Sequence, residues 1–584
     1  MLKKYIQKIM YTMLLMLVSL PAFANKNTFG VLCYHDVVDE SVIKKGQQYY
    51  PQTISVEMLV NHFNWLKHNG YTPVSWQQIL DAKNGGQPLP DKAVLLTFDD
   101  GYESFYTVIY PLLKAYNYPA VYAIVTDWIN TPANKKISYG KLKLDRRAFV
   151  TWQQLREMQN SGLIEIASHT DNLHYGIAAN PAGSSLPAVL AAQYKNKKYE
   201  TLQEYRTRLK NDFQRSYNIL KTNLGVAPRI MIWPYGQFND EAVDIAKQIG
   251  FDAHFSLRET KINTPHDPHV GRLLLDTETS IETVAKYLAH NPDQTKVQRT
   301  VRVELDTLYD PNPVQLQKNV DQLVERIHQF GITAVYLQAF SDSNRDGVAD
   351  ALYFNNKYLP VRADIFSHIS WALRTRAEVE VYAWMPELVA NGKNAVANEN
   401  MKSIYQDLSF YSKFDGLFFP SNTSGDAKAS IELEKQLKQV VTPFALGGKQ
   451  RLKTARGIDA QSPYFAQNLS EHIQANESNN VIMANPYSAN VQNLSSRDAK
   501  KWLNNIVKQT LAIASPDQVI FELQAVDLKT QNAISDEELI DWIKDLRELN
   551  IYSFGYQPDN AMTDTPSLTK IRPYFSLSTD VGLK

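Results

Sequence analysis

Two adjacent carboxylates, Asp99 and Asp100, follow an apolar run in AVLLTFDDGYESF, residues 93–105. Such a run reads as a buried strand ending in acids at its carboxyl edge, where α/β folds place their chemistry. Neighbours on an extended chain point to opposite sides, so the two acids face different partners. A second apolar run ends in two histidines five residues apart, His169 and His174, in IEIASHTDNLHYG, residues 164–176. That spacing is wrong for two ligands on one helical face and suits a loop. Each feature also has an ordinary reading: an Asp-Asp-Gly turn ends many strands, and a strand-end histidine is often only hydrogen-bonded. On strand ends that converge on one face of a barrel, however, Asp100, His169 and His174 can meet as an Asp-His-His set with open coordination positions. That is the pattern of a catalytic divalent metal site.

Positioning such residues requires strands that alternate with helices. From Phe29 to about Leu288 short apolar runs recur between helical patterns: FGVLCYHDV, AVLLTFDDG, PAVYAIVTDW, LIEIASHT, RIMIWPYG and DAHFSL. This is the alternation of a parallel sheet or barrel, expected over residues 25–290. A polar, aperiodic stretch at 291–300 reads as a linker. The alternation then restarts with VRVELDTLY, ITAVYLQAF, EVEVYAWMP, DGLFFP, NNVIMANPY, DQVIFELQ and IYSFGYQP, which matches a (β/α)₈ barrel over residues 301–584. No internal repeat is evident. The fold class is therefore α/β with two large domains.

The chain has 584 residues, with 61 Lys plus Arg against 61 Asp plus Glu, so global charge points to no nucleic acid and no anionic membrane. Its 32 tyrosines suit sugar-stacking surfaces and equally suit packing. Early lysines, an apolar run from Ile9 to Leu20 and Ala22-Phe23-Ala24 read as a signal peptide over residues 1–24, cleaved after Ala24. An exported, soluble protein is expected. The single cysteine, Cys33, cannot form an intramolecular disulfide and is read as a buried thiol.

The order TFDDGY, SHTDNLH, RIMIWPYG resembles the polysaccharide deacetylase family, a carbohydrate esterase group with NodB homology. The C-terminal half extends the likeness to the branch that acts on poly-β-1,6-N-acetyl-D-glucosamine and carries a glycoside-hydrolase-like domain, through LYDPNPVQLQKNV, LYFNNKYLPVRADIF, AWMPEL and IFELQ. The resemblance implies a distorted (β/α)₇ barrel followed by a (β/α)₈ barrel. It implies that Asp100, His169 and His174 hold a divalent metal (Zn, Ni, Co or Fe) and that Asp99 is the general base. It further implies that Arg229 keeps Asp99 ionised and that the backbone N–H of Tyr235 stabilises the oxyanion. The family's general acid is a late histidine in a Leu-x-His pattern. The corresponding stretch VGRLLLDTE has none, and the branch resembles a circular permutation in which His35, after the first strand, takes the role.

In the family's second domain a strand ending DGxLFHDD supplies acids credited with polymer cleavage; this chain has DGLFFPSNTSGD, with Pro420, Ser421 and Asn422 in their place and Asp426 four residues on. Glycoside hydrolysis needs two carboxyl groups, so this barrel is expected to bind glycan without cutting it. Asp306, Trp384, Tyr487, Glu522 and Tyr556 fall near predicted strand ends and are the candidate glycan-binding residues. The expectation is an exported, monomeric, metal-dependent N-deacetylase of poly-N-acetylglucosamine in biofilm exopolysaccharide production. It would work in the periplasm, in association with an outer-membrane export porin. The alternatives are a non-catalytic polysaccharide-binding export module and a deacetylase of chitin or peptidoglycan type.

Overall fold

The computed structural model describes residues 27–39, 41, 52–257, 262–289, 297–342, 349–386, 398–420, 426–487, 494–527 and 530–579. The signal peptide expected at 1–24, together with Ser421 and Asn422, lies outside the described residues. Among the described residues no helix is long and apolar enough to cross a membrane. By Cα packing the chain divides into two compact units. One comprises residues 1–172, 212–236 and 249–292, the other 173–211, 237–248 and 293–584.

The first unit is built on a closed ring of seven parallel strands: β1 (Phe29–Tyr34), β2 (Ala93–Phe98), β3 (Ala120–Ile124), β4 (Ile164–Ser168), β5 (Ile230–Ile232), β6 (Ala253–Leu257) and β7 (Val270–Leu274). Their order around the ring is β1-β7-β6-β5-β4-β3-β2, closed by β1 pairing with β2 from Phe29↔Ala93 to Tyr34↔Phe98. Strands such as AVLLTF and FGVLCY are buried at every position, which is why they read as unbroken apolar runs. Alternate residues fill two cores. Val31, Leu95, Val121, Ala123, Ala167, Ile232 and Phe255 share one cluster, and Leu32, Leu96, Phe98, Tyr122 and Ile166 share the other with the surrounding helices.

The second unit holds a closed barrel of eight parallel strands: β8 (Arg299–Val303), β9 (Ala334–Gln338), β10 (Glu380–Trp384), β11 (Gly416–Phe419), β12 (Lys453–Asp459), β13 (Asn479–Ala484), β14 (Val519–Gln524) and β15 (Phe554–Asp559). β8 begins within the stretch read as linker. Tyr336, Tyr382, Phe418, Ala455, Val481 and Ile520 fill the barrel interior, while Val301, Leu337, Phe419, Phe521 and Phe554 pack outward against the helices. The fold class expected from sequence, two α/β barrels of seven and eight strands, is observed.

Candidate active site

The acidic and histidine ends of the first barrel are held by its hydrogen-bond ladder continued one rung past the strands. Asp99 N–H donates to Tyr34 O at 3.0 Å, and His169 N–H donates to Ile124 O at 2.9 Å. After Asp99 the chain turns sharply: Asp100 and Gly101 both take left-handed backbone, at φ 78° and 85°. Such a conformation costs a non-glycine residue about 1–2 kcal/mol, although aspartate tolerates it better than most. It leaves the two carboxylates with different neighbours.

Asp100 is fully buried, and its Oδ1 lies 3.3 Å from His169 Nε2. The other ring nitrogen, Nδ1, lies 2.8 Å from the carbonyl oxygen of Ile232. A carbonyl can only accept, so Nδ1 carries the proton and the Nε2 lone pair faces a carboxylate oxygen. Two electron-rich atoms at that distance require a proton or a cation. One ligand atom each from Asp100, His169 and His174 lie within 4.8 Å of one another, and all three residues are buried. The donor set of two imidazoles and a carboxylate fits a divalent first-row ion. Burial disfavours charge on His169, but Asp100 and Asp99 outweigh it and hold the imidazole above its ordinary value.

The loop between the histidines is fixed from the helix α1 (Leu202–Leu224). Asp212 on that helix accepts the backbone N–H groups of Asp171 and Asn172 at 2.9 and 2.8 Å. Asp171 is clasped in turn by Thr126 Oγ1 at 2.6 Å and Arg215 Nε at 2.8 Å. Burial pushes the Asp212 carboxyl up to about 7, with the two backbone donors opposing it.

Asp99 is almost wholly buried, and its partner is Arg272 rather than Arg229. Arg272, on β7 and 0% exposed, gives Nη1 to Oδ1 at 2.8 Å and Nη2 to Oδ2 at 2.9 Å. Nη1 also donates to Thr97 Oγ1 and Nε to Ser256 O, both at 3.2 Å. Burial would raise the Asp99 carboxyl, but the Arg272 guanidinium prevails and holds it below the usual carboxylate range. Arg229 instead precedes β5, pairs with Glu165 through Nε at 2.7 Å and Nη2 at 3.0 Å, and reaches Gln77. It therefore sits at the opening end of its strand, remote from carboxylates that follow theirs. Reading VGRLLLDTE for a missing histidine overlooked the signal it does contain: an arginine inside an apolar strand needs a buried acid.

His35 is brought to Asp99. One ligand-type atom each from Cys33, His35 and Asp99 lie within 4.8 Å of one another, and His35 Nδ1 is buried with no hydrogen-bond partner among the described residues. The Cys33 thiol, read as buried and found so, donates to Asp99 Oδ2 at 3.6 Å; burial raises its pKa well above the ordinary value. Tyr235 stands in the Pro234–Gly236 turn after β5 with φ 59°, its ring exposed. Gly236 beside it has φ 64°, and a Cβ there would lie 2.4 Å from Leu257 N, so only glycine lets this turn close.

The second barrel carries a groove of about 770 Å³ lined by Glu304, Asp306, Asp342, Arg362, Trp384 and Asp559 among others. Of the five residues expected to bind glycan, Asp306 and Trp384 line it. Asp306 is pinned by Ser341 at 2.8 Å, Tyr353 at 2.6 Å and Arg362 at 2.9 Å. Glu522 does not line it: 1% exposed, it is paired with Arg302, whose guanidinium also lies over Trp384 at 4.8 Å and Phe418 at 4.9 Å. Tyr487 hydrogen-bonds Glu538 and packs on Trp542, and Tyr556 is core, its hydroxyl on Asp559 at 2.7 Å. Alternation along the strand places Tyr556 on the outer face of the barrel. Asp426 caps the helix α2 (Ala427–Val441), accepting from Ala429 N–H at 3.0 Å.

Residues 86–254 match the polysaccharide deacetylase family model, and residues 302–399 and 426–557 match hypothetical glycosyl hydrolase family 13. The poly-beta-1,6-N-acetyl-D-glucosamine N-deacetylase of Escherichia coli K12 is 34% identical over 94% of this chain and 92% of its own. The chain belongs to the poly-β-1,6-N-acetyl-D-glucosamine N-deacetylase family. A de-N-acetylase from Aggregatibacter actinomycetemcomitans is 59% identical over 44% of this chain and 99% of its own, with a TM-score of 0.43. The glycoside hydrolase domain of PgaB (BpsB) from Bordetella bronchiseptica is 26% identical over 48% of this chain and 99% of its own, also at 0.43.

Proposed function

We propose that this chain is an exported, metal-dependent N-deacetylase that removes part of the acetyl groups from poly-β-1,6-N-acetyl-D-glucosamine during biofilm exopolysaccharide production. The observation that carries the reading is the division of labour between adjacent acids. Asp100 joins His169 and His174, while Asp99, clamped by Arg272, stays ionised beside His35. When bound, a divalent ion supplies Lewis acidity to the amide carbonyl and acidifies water. Asp99 accepts the proton of the attacking water, because its lone pairs are not committed to the Asp-His-His set. The Tyr235 backbone N–H stabilises negative charge on the carbonyl oxygen. His35 gives a proton to the departing amine, so acetate and a free glucosamine amine result.

The deacetylase domain spans residues 25–290. The 301–584 barrel holds the polymer in its groove, with Asp306 and Trp384 as contacts, and does not cut it. The signal peptide at 1–24 directs the chain to the periplasm, where it acts as a monomer and hands product to an outer-membrane export porin. The test is acetate release by residues 25–584 after exhaustive chelation and add-back of Zn, Ni, Co or Fe, on N-acetylglucosamine oligomers linked β-1,6 or β-1,4. Release that needs the metal and the β-1,6 linkage is expected. Full activity after chelation would remove the metal from the mechanism, and activity confined to β-1,4 oligomers would replace the substrate.

A further inference from the structure

Asp100 has two oxygens, and Oδ1 lies 3.3 Å from His169 Nε2. The other, Oδ2, accepts the hydroxyl of Tyr139 at 2.5 Å. Tyr139 ends the first strand of an antiparallel hairpin, Lys136–Tyr139 with Leu142–Asp145, whose Ile137 is buried while most of its other residues are exposed or half-buried. The ring is steadied by aromatic neighbours, Trp128 at 5.3 Å and Tyr102 at 6.0 Å between centroids. No barrel strand supplies this contact.

Accepting the Asp-His-His metal reading above, we infer that Tyr139 is a positioning residue for the metal. By hydrogen-bonding Oδ2 it would favour coordination through Oδ1 alone, and it fixes the carboxylate plane in a backbone that is itself left-handed. A carboxylate free to rotate could chelate the ion through both oxygens, filling a coordination position that water or the amide carbonyl must use. An outer hydrogen bond to a ligand typically contributes 10–100-fold in metal affinity. The hairpin is thereby tied to the site through the Tyr139 hydroxyl.

The test compares the parent chain with Tyr139→Phe, which keeps the ring and its packing. Metal-free thermal unfolding is recorded first, then the increment in Tm produced by Co²⁺, the Co²⁺ affinity by chelator competition, and the visible spectrum of the cobalt-loaded protein. Roughly 10–100-fold weaker Co²⁺ binding is expected, with a smaller cobalt-induced increment and an altered spectrum. The increment is read separately from metal-free stability, so a less stable variant still reports. Affinity within threefold of the parent with an unchanged spectrum overturns the inference alone. A parent chain that binds no Co²⁺ overturns the metal reading and the inference with it.

Discussion

Replacing Arg272 by methionine separates the two arginines that sequence reasoning confused. The side chain is fully buried and gives both Nη groups to Asp99, so the substitution preserves bulk and strands a carboxylate in the core. Removing one partner of a buried pair costs about 3–5 kcal/mol. In a domain of this size each kcal/mol is worth ~2–4 °C, so Tm should fall by roughly 6–20 °C. Arg229, paired with Glu165 at side-chain exposures of 35% and 27%, should lose only about 0.2–1 kcal/mol on change to Ala. The pH dependence of the metal-free protein distinguishes the two further. In the parent, Asp99 is held below its unfolded value. It therefore adds stability above that unfolded value, and the contribution is lost as pH falls through the folded one. Without Arg272, burial acts unopposed by its main partner and raises the carboxyl. The sign reverses: stability is then fullest below the unfolded value and is lost as pH rises towards the raised one. Thermal unfolding across pH 3–8 and acetate release are the assays, with ~10²–10⁴-fold lower turnover expected for Arg272→Met. If Arg272→Met cost under about 1 kcal/mol with near-parental turnover, while Arg229→Ala abolished activity, the ion-pair argument would be refuted.

Asp99→Asn should bind Co²⁺ as the parent does and lose turnover by ~10²–10⁴-fold, because on the proposed division of labour it removes the base and leaves the ligands; chelator competition and acetate release check both halves. Asp212→Ala should free two backbone N–H groups of the histidine loop and weaken metal binding by roughly 10-fold or more, read by the same competition. The full chain carrying Asp100→Asn, incubated with partly deacetylated polymer, should bind it and leave its length unchanged by mass spectrometry. Shorter chains would show that carboxylates in the groove, Glu304 and Asp342 first, have taken over hydrolysis.

Much of the first barrel is legible because its strands are buried on both faces, so each appears as an apolar run ending in polar residues. Asp100, His169 and His174 were readable for the same reason: each follows such a run, and parallel strands collect their carboxyl ends on one face. That logic also decides between the arginines. Arg229 precedes its strand and Asp99 follows its own, which sets them at opposite ends of a parallel barrel. The pairing with Arg272 was harder, because β7 meets β2 only through ring closure around β1. Tyr139 and Asp212 left no signal, since a hairpin tyrosine and a helical aspartate have many uses. In the second barrel a one-residue phase separates groove from core. Glu522 and Tyr556 were read as strand ends, whereas the inward position of one and the outward position of the other emerge only from register.

The closure of the first ring bears on how this protein folds. β1 joins β7 on one side and β2 on the other, so the first strand is sealed in place by the last strand of its own barrel. Asp99, Cys33 and Arg272 lie along that seam. Contacts so distant along the chain are slow to form, because the intervening loop must be ordered before they reward it. Until the seam shuts, Asp99 has no guanidinium beside it. A chain whose seam is still open therefore lacks the Arg272–Asp99 pair, and on the mechanism proposed above the onset of acetate release during refolding would time the moment at which the first and last strands of this barrel meet.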